Sequence, residues 1–430
     1  MRILFVSGEM IGADLCYKLK KEGCDVRLYI EDESRRDCFE GMVDKTSDWK
    51  GELKWVGKNG LIVFDDVGYG GVQDELRAQG FNVVGGSELG DRLEQDREFG
   101  QKIFSEAGLS VVPSKNFYHI DEAIRFVKEN PGKWVVKQDG HLGMLNYVGV
   151  LDDGRDVIGI LENYKRYFDK IGSVNLQKRV DGIEIGVARY FNGNSWVGPV
   201  EFNVEHKDLC NGNIGPKTGE MGTVMWFEDD ENIKLYKETL AKLEPFLKKA
   251  KFKGDIDINF IVNEEGAFPL EATTRFGCPA TQLQIELFDS PWNEFLLSIA
   301  KGKSYNLKYK KGYGLIVSIA IPPFPYKSIE NDYYQSGVPI TFSSELTRQE
   351  LERLHFEEVI LDEKGVYRIS GSNGYIVYVS GFGETISIAR NEAYDLVNKL
   401  VIPKMFYRTD IGVLLESSQM GILRKMGWIK

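Results

Sequence analysis

Residues 215–222 read Gly-Pro-Lys-Thr-Gly-Glu-Met-Gly, and residues 270–282 read Leu-Glu-Ala-Thr-Thr-Arg-Phe-Gly-Cys-Pro-Ala-Thr-Gln. The three glycines of the first stretch allow backbone amides to approach anionic oxygens closely. In the second stretch, Glu271 ends a predicted strand and Arg275 follows shortly after it. A carboxylate and an arginine in this order suit a metal-bridged triphosphate.

The chain on the N-terminal side alternates short apolar strands with helical stretches. The predicted strands are residues 3–6, 26–30, 61–64 and 82–84, and the predicted helices are residues 13–22 and 72–79. Such alternation predicts a parallel α/β sheet. Ligands of these sheets bind at the carboxyl ends of the strands, so residues 7–12 and 65–71 are expected at the functional edge.

The central and C-terminal parts mix helices with longer strands. The predicted helices are residues 96–107, a single helix through residues 233–247, and a last helix at 388–400; the predicted strands are 134–137, 174–180, 186–191, 256–262, 267–271 and 314–321. Residues 256–262 and 267–271 are expected to form a hairpin around a turn at residues 263–266.

Composition narrows the classes of protein. With 430 residues, 42% of them hydrophobic and 28% charged, the chain is expected to form two to four globular domains. A net charge of −11 argues against binding to nucleic acids or anionic membranes. Five scattered cysteines, no apolar run long enough for a membrane and no signal peptide predict a cytoplasmic protein with reduced thiols.

Several motifs together resemble one known family. Besides the two stretches quoted first, they are Lys-Gln-Asp-Gly at residues 137–140, His206-Lys207, and Met-Phe-Tyr-Arg-Thr-Asp-Ile-Gly at residues 405–412. In this order they resemble the phosphoribosylamine–glycine ligases, which are ATP-grasp enzymes. The resemblance implies an α/β fold with an N-terminal Rossmann-like domain (residues 1–95), a two-lobed ATP-grasp core (96–305) and a small C-terminal domain (306–430).

The resemblance also implies an activity. Enzymes of this family use ATP and Mg²⁺, with Mn²⁺ as an alternative ion, to join the carboxylate of glycine to 5-phosphoribosylamine through an acyl phosphate, releasing ADP and phosphate. The expected partners are therefore small molecules, an amino acid and a phosphorylated amine. No nucleic acid or membrane partner is expected, and the chain is expected to be a monomer or a dimer.

Positions that match the family's motifs carry the implied roles. The ATP-binding residues would be Arg97 (where the family has lysine), Lys137, Gln177, Lys178, Val180 and Glu184. Mg²⁺ would be held by Glu271 and Asn259, and the catalytic residues would be Arg275 and Lys207. The substrate-binding residues would be Ser7, Gly8, Glu9, Asp66, Lys217, Thr218, Gly219 and Gly277.

Simpler structural interpretations stay open for individual residues. Lys137 could be a strand-end lysine that reaches solvent, and Arg275 could pair with a neighbouring carboxylate. Asn259 could cap a sheet edge, and Glu184 and Asp66 could be ordinary turn or loop carboxylates. The alternation of Asp255 and Asp257 with apolar residues equally fits the solvated face of a strand.

The sequence also departs from the family. The loop at residues 141–147 lacks the family's lysine, Thr273 replaces an asparagine, and Cys278 and Ala280 replace acidic residues; the loop at 7–12 lacks the usual glycine run. These departures leave two alternatives, a ligase for another amino acid and amine or a catalytically silent ATP-grasp protein. A dinucleotide-dependent oxidoreductase fits poorly, because its Gly-x-Gly-x-x-Gly fingerprint is missing after the first strand.

Overall fold

The computed structural model of the chain describes residues 1–137, 146–167, 172–326 and 336–430. Most of the loop expected at residues 141–147, and residues 138–140 of the Lys-Gln-Asp-Gly motif, lie outside the described residues. Within the described part, the architecture is mixed α/β, with a parallel sheet at the N-terminus and antiparallel sheets after it. The predicted fold class is confirmed.

The N-terminal unit contains a parallel sheet in the order β3-β2-β1-β4-β5. Its strands are β1 (Arg2–Ser7), β2 (Asp25–Ile30), β3 (Asp44–Lys45), β4 (Leu61–Phe64) and β5 (Asn82–Val84). Its helices are α1 (Ala13–Lys21), α2 (Leu53–Val56), α3 (Gly70–Ala78), α4 (Glu88–Gln95) and α5 (Arg97–Glu106). The centre of β1 is apolar at consecutive positions because both faces of a parallel sheet are covered.

A smaller antiparallel sheet follows, in the order β6-β9-β7-β8. Its strands are β6 (Ser114–Phe117), β7 (Trp134–Lys137), β8 (Tyr147–Val148) and β9 (Val174–Lys178). The helices α6 (Ile120–Glu129) and α7 (Arg155–Tyr164) pack on it. This lobe has its own apolar core, which includes Val136 and Leu176.

The largest sheet of the described residues has the strand order β16-β15-β10-β11-β14-β17-β22-β19. Its strands are β10 (Ile183–Asn192), β11 (Trp196–Glu205), β14 (Gly222–Glu228), β15 (Lys253–Val262), β16 (Ala267–Thr273), β17 (Tyr313–Ala320), β19 (Leu354–Phe356) and β22 (Tyr375–Gly383). The two-stranded ribbons are β12 (Asp208–Cys210) with β13 (Ile214–Lys217), β18 (Thr341–Phe342) with β23 (Leu400–Val401), and β20 (Val359–Leu361) with β21 (Tyr367–Ile369).

The remaining α-helices of the described residues are α8 (Lys234–Glu238), α9 (Glu244–Lys249), α10 (Ala280–Leu287), α11 (Trp292–Ala300), α12 (Arg348–Glu352), α13 (Ile386–Val397) and α14 (Met420–Lys425). Of these, α10, α11 and α13 pack on the large sheet. In β11, Val200 and Phe202 bury against the main core, whereas Glu201 and Asn203 face the opposite side, as the alternation of a strand requires. That polar side carries the candidate site.

Two helix predictions differ from the structure. Residues 233–247 do not form one helix, because α8 ends at Glu238 and α9 begins at Glu244, with a 3-10 turn (Leu240–Leu243) between them. Pro245 lies in the first turn of α9, where a proline starts a helix but would disrupt the middle of a longer one. The helix expected at 388–400 is Ile386–Val397, and further helical turns follow it at Leu415–Gln419 and Met420–Lys425.

The predicted hairpin is present, and its turn closes through a hydrogen bond from the Asn263 amide to the Gly266 carbonyl, 3.0 Å. The large sheet continues from β14 into β17 and β22, so it runs across the boundary expected between residues 305 and 306. The division into three domains stays a prediction. Among the described residues, no helix has the length and apolar character that crossing a membrane requires.

Candidate active site

The carboxyl end of β11 and its neighbours on the large sheet bring Lys207 together with two carboxylates. Lys207 Nζ lies 2.6 Å from Glu271 Oε1 and 2.9 Å from Glu205 Oε2. Asn259 lies opposite Glu271 in the β15–β16 pair and donates its amide to Glu205 Oε2 at 2.9 Å. The residues predicted to be catalytic and metal-binding on this sheet therefore lie in one cluster, which also contains Glu205.

Electrostatics hold this cluster in its charged form. Lys207 lowers the pKa of Glu271 to about 2, although burial acts in the opposite direction. Burial alone would lower the pKa of Lys207, but Glu205, Glu271 and Glu184 raise it well above its ordinary value. Because the folded-state pKa of Glu271 is depressed, its pairing stabilises the fold above the ordinary carboxyl pKa and is lost as the pH falls toward 2.

The oxygen atoms beside Lys207 fit a magnesium ion that is completed by a ligand's own oxygens. Glu271 is 59% exposed and opens to the cleft, and Asn259 Oδ1 is a buried oxygen without a hydrogen-bond partner. A carboxylate and an amide oxygen are donors that Mg²⁺ accepts, usually together with phosphates. Within the described ranges, no group of three or more His, Cys, Asp or Glu side chains is arranged to hold a metal by itself.

Lys137 ends β7 of the small sheet, and the electrostatic influence of Arg97, Glu271 and Glu184 reaches it. Burial, together with the neighbouring Arg97, lowers the pKa of Lys137 to about 8, although the two carboxylates act in the opposite direction. Arg97 is the first residue of α5. Lys137 and Arg97, the two cations predicted to bind phosphate, therefore lie within electrostatic range of the Lys207 cluster. Negative charge added nearby would raise the pKa of Lys137 and favour its protonated form.

The predicted adenine-reading residues lie where the small sheet joins the large one. β9 ends at Lys178 and β10 begins at Ile183, and Val180 lies in the connection between them. Gln177 is buried between β6 and β7, whereas the side chain of Lys178 is exposed. Glu184 follows on β10 and is exposed. The structure shows this connection between the two sheets. The roles of the individual residues in binding adenine stay predictions.

A cavity of about 580 Å³ lies between α4, α5 and β16, and it is lined by Arg97, Glu271, Thr273, Arg275 and Glu94 among others. Arg275 Nε lies 3.0 Å from Glu94 Oε1 and 3.5 Å from Asp66 Oδ1. Burial opposes its charge, but these carboxylates outweigh burial and raise the pKa of Arg275. Arg275 thus pairs with carboxylates of the N-terminal unit, and its action on a transferred phosphoryl group stays a prediction.

The loop after β1 is closed by a buried carboxylate that the sequence analysis did not include. Asp65 accepts hydrogen bonds from the amides of Gly8 (3.2 Å) and Gly12 (2.8 Å) and from Ser7 Oγ (2.6 Å). Ser7 is fully buried and does not face the cleft. The amides of Gly8 and Gly12 are therefore not open to a phosphate, because Asp65 already accepts their hydrogen bonds.

Among the predicted substrate residues near this loop, Asp66 lies beside Arg275 and Gly8 lies directly against Asp66. A Cβ at Gly8 would lie 2.6 Å from Asp66 Oδ2, so the absence of a side chain at Gly8 lets Asp66 approach. Asp66 in turn faces Arg275. Glu9 is exposed, and its carbonyl accepts a hydrogen bond from Arg35 at 2.5 Å.

The glycine-containing loop at residues 215–222 folds back on the Lys207 backbone. The amide and hydroxyl of Thr218 donate to the Lys207 carbonyl at 2.8 and 2.9 Å, and the Met221 amide donates to the His206 carbonyl at 2.8 Å. Lys217 pairs with Asp208 across the β12–β13 ribbon, 2.9 Å. The Thr218 and Met221 amides are therefore committed within the protein, contrary to the expected anion cradle, and they position Lys207.

The motif at residues 405–412 fixes the same ribbon from the other side. Buried Arg408 donates to the Asp208 carbonyl (3.0 Å) and to Asn213 Oδ1 (2.8 Å), and it pairs with Asp410 at 2.8 Å. The Gly412 amide donates to His206 Nε2 at 3.2 Å. Burial lowers the pKa of His206 to about 4, so the ring is neutral and its Nε2 is free to accept this bond.

The loop after Arg275 carries the substituted positions of the motif. The Gly277 carbonyl accepts a hydrogen bond from the Thr281 amide at the start of α10, 2.9 Å. Cys278 Sγ lies 3.1 Å from the Tyr378 hydroxyl, and that hydroxyl donates to Glu357. No sequence signal pointed to Glu357, because its contacts come from strands distant along the chain.

A second buried polar group continues inward from the Lys207 cluster. Asn203 donates to Asp257 at 2.7 Å and to Glu201 at 3.3 Å, and Gln284 donates to Glu201 at 2.8 Å and to Asp255 at 3.1 Å. Burial raises the pKa values of Glu201, Asp255 and Asp257. The solvated-face interpretation is wrong for Asp255, which is 4% exposed.

Comparison with known structures identifies the fold. The phosphoribosylamine–glycine ligase of Thermotoga maritima superposes with a TM-score of 0.69 at 21% identity, covering 96% of this chain and 100% of that chain. The biotin carboxylase domain of the Hydrogenobacter thermophilus 2-oxoglutarate carboxylase, solved with MgADP, ADP and bicarbonate, gives a TM-score of 0.61 at 14% identity, covering 94% and 91%. The fold is that of the ATP-grasp proteins.

Sequence comparison adds similarity to relatives of one name. Residues 95–281 match the family model described as phosphoribosylglycinamide synthetase, ATP-grasp (A) domain. The phosphoribosylamine–glycine ligase of Clostridium acetobutylicum is 25% identical over 365 residues, which are 80% of this chain and 81% of the relative. The Corynebacterium ammoniagenes enzyme of the same name is 25% identical over 397 residues, which are 89% of this chain and 87% of the relative. The similarity is thus to the phosphoribosylamine–glycine ligases, the family that the motifs of this sequence resemble.

Replacement of Arg408 tests whether the 405–412 segment holds the β12–β13 ribbon. Arg408→Met keeps the length but leaves Asp410, Asn213 and a carbonyl without their donor, so we expect local stability to fall by about 2–4 kcal/mol. Hydrogen exchange of the ribbon amides should accelerate by roughly 30- to 1,000-fold. Arg348→Met, which removes an exposed pair with Glu352, is the control and should leave exchange nearly unchanged. Unaltered ribbon exchange in folded Arg408→Met would contradict this role.

Proposed function

We propose that the chain is an ATP- and Mg²⁺-dependent carboxylate–amine ligase that acts as a phosphoribosylamine–glycine ligase. The observation that carries the proposal is the Lys207–Glu271–Asn259 cluster, which lies within electrostatic range of Lys137 and Arg97. Relatives of that name, which align with about four-fifths of the chain, support the same activity. The altered loops alone favour another amine or a silent protein, and the family relationship outweighs them.

The nucleotide would lie between the small and large sheets. Lys137 and Arg97 would neutralise its phosphates, the connection around Val180 would contact adenine, and Glu184 would accept the ribose hydroxyls. Glu271 and Asn259 would hold Mg²⁺, which, when bound, would neutralise charge on the phosphoryl oxygens. These assignments rest on the family motifs and on the positions of the residues around one cleft.

The chemistry would proceed in two steps. A carboxylate oxygen of the amino acid attacks the γ-phosphorus, the bond to ADP breaks, and an acyl phosphate forms. The amine nitrogen then attacks the acyl carbon, phosphate leaves, and the nitrogen loses a proton as the amide forms. Lys207 and Arg275 would stabilise the negative charge that develops, since fixed cations in a dehydrated site need no reorganisation.

Replacement of Glu271 tests the metal assignment. Glu271→Gln removes a carboxylate ligand while Glu205 still pairs with Lys207, so the fold should persist. We expect Mg²⁺-dependent ADP release to fall by about two to four orders of magnitude. Glu264→Gln, on the exposed hairpin turn, is the matched control and should keep full activity. Full turnover in a folded Glu271→Gln protein would remove Glu271 from the mechanism.

Protonation of Lys137 gives a pH-dependent prediction. With a pKa of about 8 in the free protein, Lys137 is largely neutral at pH 9, and bound phosphates should raise its pKa so that ATP binding takes up a proton. Calorimetry in buffers of different ionisation enthalpy should detect the uptake of nearly one proton per ATP bound at pH 9 and almost none at pH 6.5. In Lys137→Arg, which stays charged, the uptake should vanish; uptake that persists there belongs to another group.

Gly8 gives a test of the amine site. Gly8→Ala should push Asp66 away from Arg275, because the added Cβ would lie too close to the carboxylate. We expect the apparent Michaelis constant for the phosphorylated amine to rise about tenfold while that for ATP stays within about twofold. Gly71→Ala, where an added Cβ meets open space, is the control. A change confined to the apparent Michaelis constant for ATP would instead show that Asp66 acts on the nucleotide.

A further inference from the structure

The buried polar group beside the Lys207 cluster has too few hydrogen-bond donors for its acceptors. Its acceptors include the carboxylates of Glu201, Asp255 and Asp257, and its donors are the side-chain amides of Asn203 and Gln284. Gln284 cannot help with its oxygen, which accepts from Tyr190 at 2.8 Å. Among the described residues, three oxygens of this group stay without a partner: Asp255 Oδ1, Asp257 Oδ1 and Asn203 Oδ1.

The Asn203 oxygen is the most informative of the three. Asn203 is fully buried, and its nitrogen must face the two carboxylates to which it donates, so the oxygen cannot exchange places with it. A carboxylate can take up a proton itself, whereas an amide oxygen needs a donor or a cation from another group. The oxygen lies over Gly186, where an ideal Cβ would approach it to 2.1 Å, so the bare strand makes room for it.

Asp257 is the accessible member of this group. Glu271 is open to the cleft and Asp257 is half-buried, whereas Asp255 and Asn259 on the same strand are buried. Asp257 and Asn259 are alternate residues of β15 and share a face. A small substrate whose carboxylate lies at Glu271 and Asn259 would therefore present its other end to Asp257.

We propose that Asp257, backed by Asn203, Asp255 and Glu201, receives the ammonium group of the amino-acid substrate. This inference rests on the proposed ligase function and adds the residues that select the amino acid. An ammonium group supplies the three N–H donors and the positive charge that the group lacks.

The spacing also restricts the substrate. Alternate residues of a strand are roughly 7 Å apart. A charge-assisted hydrogen bond of about 2.8 Å at the ammonium end already takes up a large part of that distance. Only a short connection fits between the two groups, which favours an α-amino acid over one whose amine lies farther from its carboxylate.

The experiment compares amino-acid recognition in wild type, Asp257→Asn and Asp255→Asn. Glycine, glycolate and β-alanine serve as probes with ATP, Mg²⁺ and 5-phosphoribosylamine formed in situ. We expect wild type to use glycine and to discriminate against glycolate, which lacks the cation, and against β-alanine. In Asp257→Asn, the apparent Michaelis constant for glycine should rise on the order of 10- to 100-fold, with that for ATP unchanged. The affinity for glycine measured by calorimetric titration should fall by the same factor.

Stability separates this role from a structural one. Removal of one of several neighbouring carboxylates relieves repulsion, so the melting temperatures of Asp257→Asn and Asp255→Asn should stay level or rise. Asp152→Asn, on an exposed carboxylate of the small lobe, should change neither constant nor melting temperature. Should Asp257→Asn fail to fold, the milder Asp255→Asn must still weaken glycine binding.

Two results would overturn the inference. One is an unchanged apparent Michaelis constant for glycine in folded Asp257→Asn. The other is that the wild-type protein requires K⁺, and that Asp257→Asn loses this requirement but still binds glycine normally. Absence of ADP release by wild type with glycine, glycolate and β-alanine alike would instead contradict the proposed function. The two failures are therefore distinguishable.

Discussion

The ammonium group of Lys207 lies between the carboxylates of Glu205 and Glu271, and the arrangement of the whole cleft depends on that contact. It brings together the ends of β11 and β16, strands that are not neighbours in the sheet. It also keeps Glu271 ionised and therefore able to bind a cation. The backbone of Lys207 is held in turn by Thr218, so the position of one charge is set by both a side-chain pair and a loop.

Charge is distributed across the cleft in a graded way. Lys137 and Arg97 supply positive potential near the small lobe, the Lys207 cluster is mixed, and the deeper group around Asp255 and Asp257 is acidic. A zwitterionic substrate next to a polyanionic one would align with this gradient. Arg275 extends the same pattern toward Asp66 and Glu94, so the N-terminal unit is linked electrostatically to the cleft.

The sequence predicted those parts of the fold and site that depend on local pattern. The strand–helix alternation of the N-terminal unit and the hairpin around residues 263–266 follow from short-range patterns. The contact of Lys207 with Glu271 joins residues that are 64 positions apart, and no local pattern shows it. The role of Asp65 could not be foreseen, because a buried carboxylate that occupies loop amides looks like any other strand-end aspartate. The buried state of Asp255 was equally hidden, since alternation with apolar residues does not reveal what covers the polar face.

The contacts of Arg408 and Gly412 have a consequence for biosynthesis. The ribbon next to Lys207 gains these anchors only from a segment roughly two hundred residues further along the chain. While the ribosome is still producing that segment, the nascent protein would carry the ribbon but not the support that orients the lysine. The ribbon would therefore reach its final order only late in translation, after the strands of the large sheet have been made.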